Sequence, residues 1–159
     1  MDNRIALNTK LVELQAGHKS SEEVIRHLFE KLHSLHYVKA SYLEAVLDRE
    51  KVYPTGLPLA KTGVAIPHTD SEHVLKPSIA ISVLDKPVSF NVMGSPDTKV
   101  DVEIVLMLAI SDPKKQIVML QRLMAVFQDE QAMEAIKSAQ REEDVVDLLM
   151  NQLQLNESA

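Results

Sequence analysis

The chain contains no cysteine and no tryptophan among its 159 residues. Without thiols, disulfides, cysteine nucleophiles, iron–sulfur clusters and thiolate zinc sites are excluded. Glycine is scarce, at four residues. Neither GxGxxG nor a GxxxxGKS or GxxxxGKT loop occurs, which rules out nucleotide binding by those phosphate cradles. HExxH pairs and GxSxG elbows are missing as well. Aromatics make up only 4%, too few for base-stacking platforms. Basic excess is also lacking: 17 Lys and Arg against 23 Asp and Glu leave a net charge of −6, which argues against a phosphate backbone as main partner. No run of 18 apolar residues could span a membrane. The first fifteen residues hold no signal-type apolar region, so the expected location is cytoplasmic.

What remains is an ordinary globular balance, 45% hydrophobic and 25% charged. The expectation is one domain over residues 1–159 with a Leu, Val, Ile, Met and Ala core. Residues 1–17 read as a short extended segment. Ser20 followed by Glu23 is a capping box. Behind it, Val24, Ile25, Leu28, Leu32 and Leu35 form one helical stripe. His27, His33 and His36 lie on or beside this helix. Their spacing puts no suitable set on one face, so they read as solvated or helix-end histidines, and no metal is expected.

A second helix is expected over 41–51, with Tyr42, Ala45 and Val46 inward. A turn-rich loop, 53–58, follows it. Val64, Ala65 and Ile66 read as a buried strand that Pro67 terminates. Residues 78–84 alternate as a strand, 87–90 form another, and 93–97 form a loop. Residues 100–110 (VDVEIVLMLAI) become continuously apolar, as a central strand does. Ser111, Asp112 and Pro113 then start a helix, with Ile117, Leu120, Leu123, Met124 and Phe127 as its apolar face. Two shorter helices follow, and 156–159 are expected to fray. This order argues for helices covering a mixed sheet.

His68 stands on the first turn beyond a strand end, where α/β sheets commonly place reactive groups. The residues alone admit two readings: a reactive imidazole or an ordinary loop histidine. A phosphoryl acceptor needs one fixed tautomer and a nearby cation. Arg49 is the obvious cation, because guanidinium matches phosphate oxygens in a fork. It reads equally as a helix-end arginine paired with Asp48 or Glu44. Thr55 and Thr69 offer hydroxyls. His73, five residues past His68, faces it across a turn or is simply solvated.

From Arg49 through Pro54-Thr55-Gly56 to Gly63-Val64-Ala65-Ile66-Pro67-His68, the chain resembles the enzyme IIA domains of the sugar phosphotransferase system, fructose–mannitol class. The likeness covers nearly the whole chain and looks nearest to the galactitol-specific branch. It implies a three-layer α/β sandwich with a mixed central sheet. It implies a phosphotransferase relay without a cofactor. The histidine matching His68 takes a phosphoryl group from phospho-HPr on Nε2. It passes the group to a cysteine of enzyme IIB, which phosphorylates a hexitol or pentitol entering through membrane IIC. Arg49 matches the arginine beside the phosphohistidine. Mannitol-type members carry a second active-site histidine at the start of the helix after the long strand, where this chain has Gln116. Thr55, His73 and Gln116 are therefore the expected supporting residues, with His73 the candidate second imidazole. A regulatory role, with the phosphohistidine as a signal, is the alternative the resemblance leaves.

Overall fold

The computed structural model describes residues 4–59 and 61–155; the fraying expected of 156–159 lies outside them. A short 3-10 turn, Thr9–Leu11, leads into β1 (Val12–Ala16), followed by α1 (Ser21–Ser34) and α2 (Tyr42–Val52). Two three-residue strands come next, β2 (Gly56–Pro58) and β3 (Gly63–Ala65). A 3-10 turn at Ser71–His73 precedes β4 (Ser78–Val92) and β5 (Ser95–Ala109). The chain closes with α3 (Pro113–Phe127), α4 (Glu130–Ser138) and α5 (Glu142–Gln152).

The strands form one mixed sheet. β4 and β5 make a long antiparallel hairpin. β1 joins β4 in parallel, and β3 joins β5 in parallel. β2 pairs antiparallel with β3 and meets β4 at Gly56–Val92.

The apolar run in β5 is explained by burial on both faces. Ile104, Leu106 and Leu108 enter one core with Met119, Leu123, Ile136 and Leu149 of the last three helices. Val105, Met107 and Ala109 enter a second core with Val24, Leu28, Tyr42 and Val46 of the first two. Alternation along a strand sends successive side chains to opposite faces, and here both faces are covered. The result is the layered α/β sandwich the sequence predicts.

Three boundaries differ from expectation. The separate strand at 87–90 and the loop at 93–97 do not exist. β4 runs on through Pro87, which falls where the β4–β5 register shifts between Val83 and Val88, a position where a strand tolerates a missing donor. The hairpin then turns over Met93 and Gly94 alone, with Gly94 at φ +79°, a conformation glycine adopts without penalty. Second, part of the turn-rich loop is strand β2. Third, α3 buries Met119, Leu123, Val126 and Phe127, while Ile117 is 60% exposed. Its first turns carry a second apolar stripe that faces solvent.

Capping follows the sequence closely. The Ser20 hydroxyl accepts from the Glu23 N–H at 3.2 Å. The Glu23 carboxylate reaches back one residue further than a capping box requires, to the Lys19 N–H at 3.0 Å. Asp112 caps α3 by accepting from the Lys114 N–H, with Pro113 in the first turn.

Candidate functional site

β3 and β5 run parallel, with Ala65 opposite Val105. Their carboxyl ends therefore lie at the same end of the sheet. The His68 loop and the first turn of α3, which carries Gln116, both leave from there. β3 lies very close to β5: a Cβ on Gly63 would come within 1.9 Å of the Asp101 carbonyl oxygen. Only glycine permits that approach.

The loop after β3 is held through its main chain. The Ile66 N–H donates to the Thr55 hydroxyl oxygen at 3.1 Å. The Thr55 hydroxyl in turn donates to the Glu50 carboxylate, and the Thr55 N–H donates to the same group at 2.9 Å. The Leu108 N–H donates to the Pro67 carbonyl at 3.0 Å, and the buried Tyr42 hydroxyl donates to the Leu108 carbonyl at 2.7 Å. Burial pushes the Tyr42 phenol well up, so it stays a donor. α2 and β5 thus grip Ile66 and Pro67 from two sides.

His68 is 7% exposed. Its Nδ1 lies 2.7 Å from the Ile66 carbonyl oxygen. A carbonyl only accepts, so Nδ1 carries the proton and the lone pair is left on Nε2. Burial holds the imidazole below its ordinary pKa; the Ile66 contact opposes that shift, and the nearby Arg49 charge adds to it. His68 is therefore neutral at neutral pH, with its Nε2 lone pair free of the Ile66 contact.

Arg49 ends α2 with its guanidinium 5.3 Å from the centroid of the Tyr53 ring. Its Nε is buried and has no hydrogen-bond partner. An unpaired charged donor whose field reaches the His68 ring suits an anionic ligand. Neither Asp48 nor Glu44 forms an ion pair with it among the described residues; its charge acts on Glu50 instead.

The structure ties Thr55 to the His68 loop through Ile66 and lets the Arg49 charge act on the His68 ring, with no hydrogen bond or ion pair between Arg49 and His68 among the described residues. It does not join His73 or Gln116 to them by any hydrogen bond or ion pair among the described residues. His73 Nδ1 lies 2.8 Å from the Ser41 hydroxyl, and its Nε2 lies 3.6 Å from Glu72. Gln116 is half-buried in the first turn of α3. Sequence reasoning missed Glu50, whose burial raises its carboxyl pKa against the lowering contacts from Thr55. A five-residue offset across a helix end belongs to no legible period. Of the α1 histidines, His33 stacks on Phe29, while His27 meets His18 rather than His33 or His36.

Fold and site together define a class: an α/β protein presenting a neutral imidazole beside a guanidinium, at the carboxyl ends of two parallel strands. A family model described as phosphoenolpyruvate-dependent sugar phosphotransferase system, EIIA 2, matches residues 6–152, and the chain belongs to that family. It is a phosphotransferase component that relays phosphoryl groups. The chain is 27% identical over 141 residues to the ascorbate-specific PTS system EIIA component of Shigella boydii, covering 88% of this chain and 89% of the relative. It is 26% identical over 114 residues to the galactitol-specific EIIA component of Escherichia coli O6:H1, covering 72% and 75%. Among solved structures, IIA in the complex of enzyme IIAMTL and phosphorylated enzyme IIBMTL from Escherichia coli matches with a TM-score of 0.74. The identity there is 26%, over 92% of this chain and 99% of that one. No helix among the described residues is long and apolar enough to cross a membrane.

Proposed function

We propose that this chain is a cytoplasmic phosphocarrier, a single domain over residues 1–159, with His68 as its nucleophile. The observation that carries the reading is the Nδ1 contact with Ile66, which leaves Nε2 as the attacking atom. The Nε2 lone pair attacks the phosphorus of phospho-HPr. The donor's phosphorus–nitrogen bond breaks as the new one forms. A IIB cysteine thiolate then attacks the same phosphorus, and the bonding pair returns to Nε2. Arg49 Nε hydrogen-bonds a phosphoryl oxygen. Thr55 positions the loop through Ile66, and Gln116 serves as a neutral donor from α3. His73 keeps one ring nitrogen clear of Ser41 and supplies the second imidazole. Catalysis here is placement and charge stabilisation.

Protein partners suit the rim of the site. Val52 and Tyr53 at the end of α2 are 61% and 64% exposed, and Ile117 and Val118 at the start of α3 are 60% and 45% exposed. Exposed apolar residues grouped around a site are what a docking protein covers. The complex with phosphorylated IIBMTL supports a IIB acceptor. The substrate served through membrane IIC is a hexitol or pentitol of galactitol type.

The test incubates the protein with phosphoenolpyruvate, enzyme I and HPr, then adds galactitol-type or ascorbate-type IIB. An acid-labile, base-stable phosphate on His68 that passes to the galactitol-type acceptor is expected. An unlabelled His68 overturns the relay. Transfer to the ascorbate-type acceptor alone overturns the polyol assignment. Labelling without transfer to either makes the phosphohistidine a signal.

A further inference from the structure

On the edge strand β1 and the adjoining start of α1, three side chains that take no part in the site above converge. Glu13 comes from β1, His18 from the loop after it, and His27 from the second turn of α1. Their nitrogen and carboxylate ligand atoms all lie within 4.8 Å of one another. His18 Nε2 is 2.7 Å from Glu13 Oε1, and His27 Nδ1 is 4.0 Å from Glu13 Oε2. The two imidazoles meet edge to face, with centroids 4.5 Å apart at 61°.

An ordinary ion pair accounts for His18 and Glu13 alone. It does not account for His27, which approaches the same carboxylate at a distance too long for a hydrogen bond. One divalent cation resolves the arrangement, since it accepts a lone pair from each nitrogen and one from the carboxylate. Zinc ligands sit about 2.0–2.2 Å from the metal, so neighbouring donor atoms lie about 3.3–3.6 Å apart in a tetrahedral site. The Glu13–His18 pair must open slightly and the Glu13–His27 pair close slightly.

The supporting contacts are in place. His18 Nδ1 lies 3.5 Å from Glu23 Oε1, a carboxylate behind a ligating imidazole that leaves Nε2 for the metal. The Ser82 hydroxyl donates to Glu13 Oε1 at 2.6 Å and fixes that carboxylate from the neighbouring strand. The side chains of His18 and Glu13 are 5% and 15% exposed, whereas His27 is 51% exposed. The site thus has a built floor and an open side for entry.

We propose that Glu13, His18 and His27 form a binding site for a divalent transition metal of the zinc class. Two imidazoles and one carboxylate leave a coordination position for water. The metal fastens the edge strand to α1, and its binding raises the stability of the fold.

The test titrates the full chain with zinc chloride by calorimetry, and with cobalt(II) by visible absorption. His27→Gln is the main variant, because His27 is half exposed and its replacement leaves the packing intact. His33→Gln, on the same helix, is the control. The expected result is one equivalent bound, a cobalt spectrum of four- or five-coordinate type, and a zinc-induced rise of several degrees in the unfolding midpoint. His27→Gln weakens binding at least tenfold, His33→Gln leaves it unchanged, and phosphorylation of His68 proceeds in both. The proposal is overturned if binding is not saturable at one equivalent, if cobalt stays octahedral, or if His27→Gln binds zinc as the unaltered chain does.

Discussion

Replacing Arg49 by glutamine gives opposite signs in two measurements. In the unphosphorylated protein the Arg49 Nε is buried without a partner. A donor in that state costs about 1–3 kcal/mol, which its removal relieves. The stacking on Tyr53 is lost, worth about 0.5–1 kcal/mol. The two terms net to about 0–2.5 kcal/mol, so the variant is as stable as the parent or more stable, with a midpoint rise of at most roughly 10 °C. In the proposed relay the same nitrogen makes a charged hydrogen bond to the phosphoryl group, worth about 1.5–3 kcal/mol. Losing it shifts the phosphoryl equilibrium with phospho-HPr toward the donor by about 10- to 160-fold. The assay combines thermal unfolding with the ratio of labelled protein to labelled HPr at equilibrium. Loss of the Arg49 charge also moves the His68 pKa upward, because that charge holds it down. A variant destabilised by more than about 3 kcal/mol that keeps its phosphoryl equilibrium would refute the reasoning, since Arg49 would then be a structural group.

Thr55→Val removes the hydroxyl between Glu50 and the Ile66 N–H. About 3 kcal/mol of stability should go, a fall of roughly 6–12 °C in the midpoint, with a further rise in the Glu50 pKa; an unchanged midpoint dismisses the link. The His68 ring, followed by NMR from pH 8 to pH 4, should titrate below its ordinary 6.5. The unfolded chain then takes up this proton first, so the His68 contribution to stability falls as pH drops through 6.5 and levels off below the folded value. Glu50, with its raised pKa, acts in the opposite sense above 4.5, which makes the ring resonance the decisive readout rather than global stability. A His68 value at or above 6.5 contradicts the buried neutral imidazole. His73→Gln should slow transfer into and out of His68; equal rates remove His73 from the site.

The centre of the site was readable because it is local. Gly63 to His68 is one uninterrupted run, and Arg49 lies in the last turn of the preceding helix, from where its charge acts on the ring. The two sheet-covering cores were readable from β5, whose unbroken apolar run has meaning only with both faces buried. Legibility ended where contacts cross elements. Glu50 reaches Thr55 around a helix end, and Tyr42 reaches Leu108 across 66 positions; neither follows a period. The charged pair Asp85 and Lys86 separates 78–84 from 87–90 in the sequence, whereas the register shift that lets one strand run through both is set by the facing strand. α3 carries two overlapping apolar stripes, and only packing shows which one the sheet takes. Helical spacing relates His27 only to His33 and His36, whereas its nearest partners, Glu13 and His18, precede the helix.

On the β5 side the loop carrying His68 is held by peptide atoms: the Ile66 carbonyl meets the ring, and the Pro67 carbonyl accepts from the Leu108 N–H. Side chains at these positions are therefore free to exchange over generations among residues that fill the same volume. Such changes would leave the proton on the inner ring nitrogen undisturbed. If the proposed relay holds, lineages built on this scaffold can remodel the outer contours that meet a new partner while inheriting the ring unaltered.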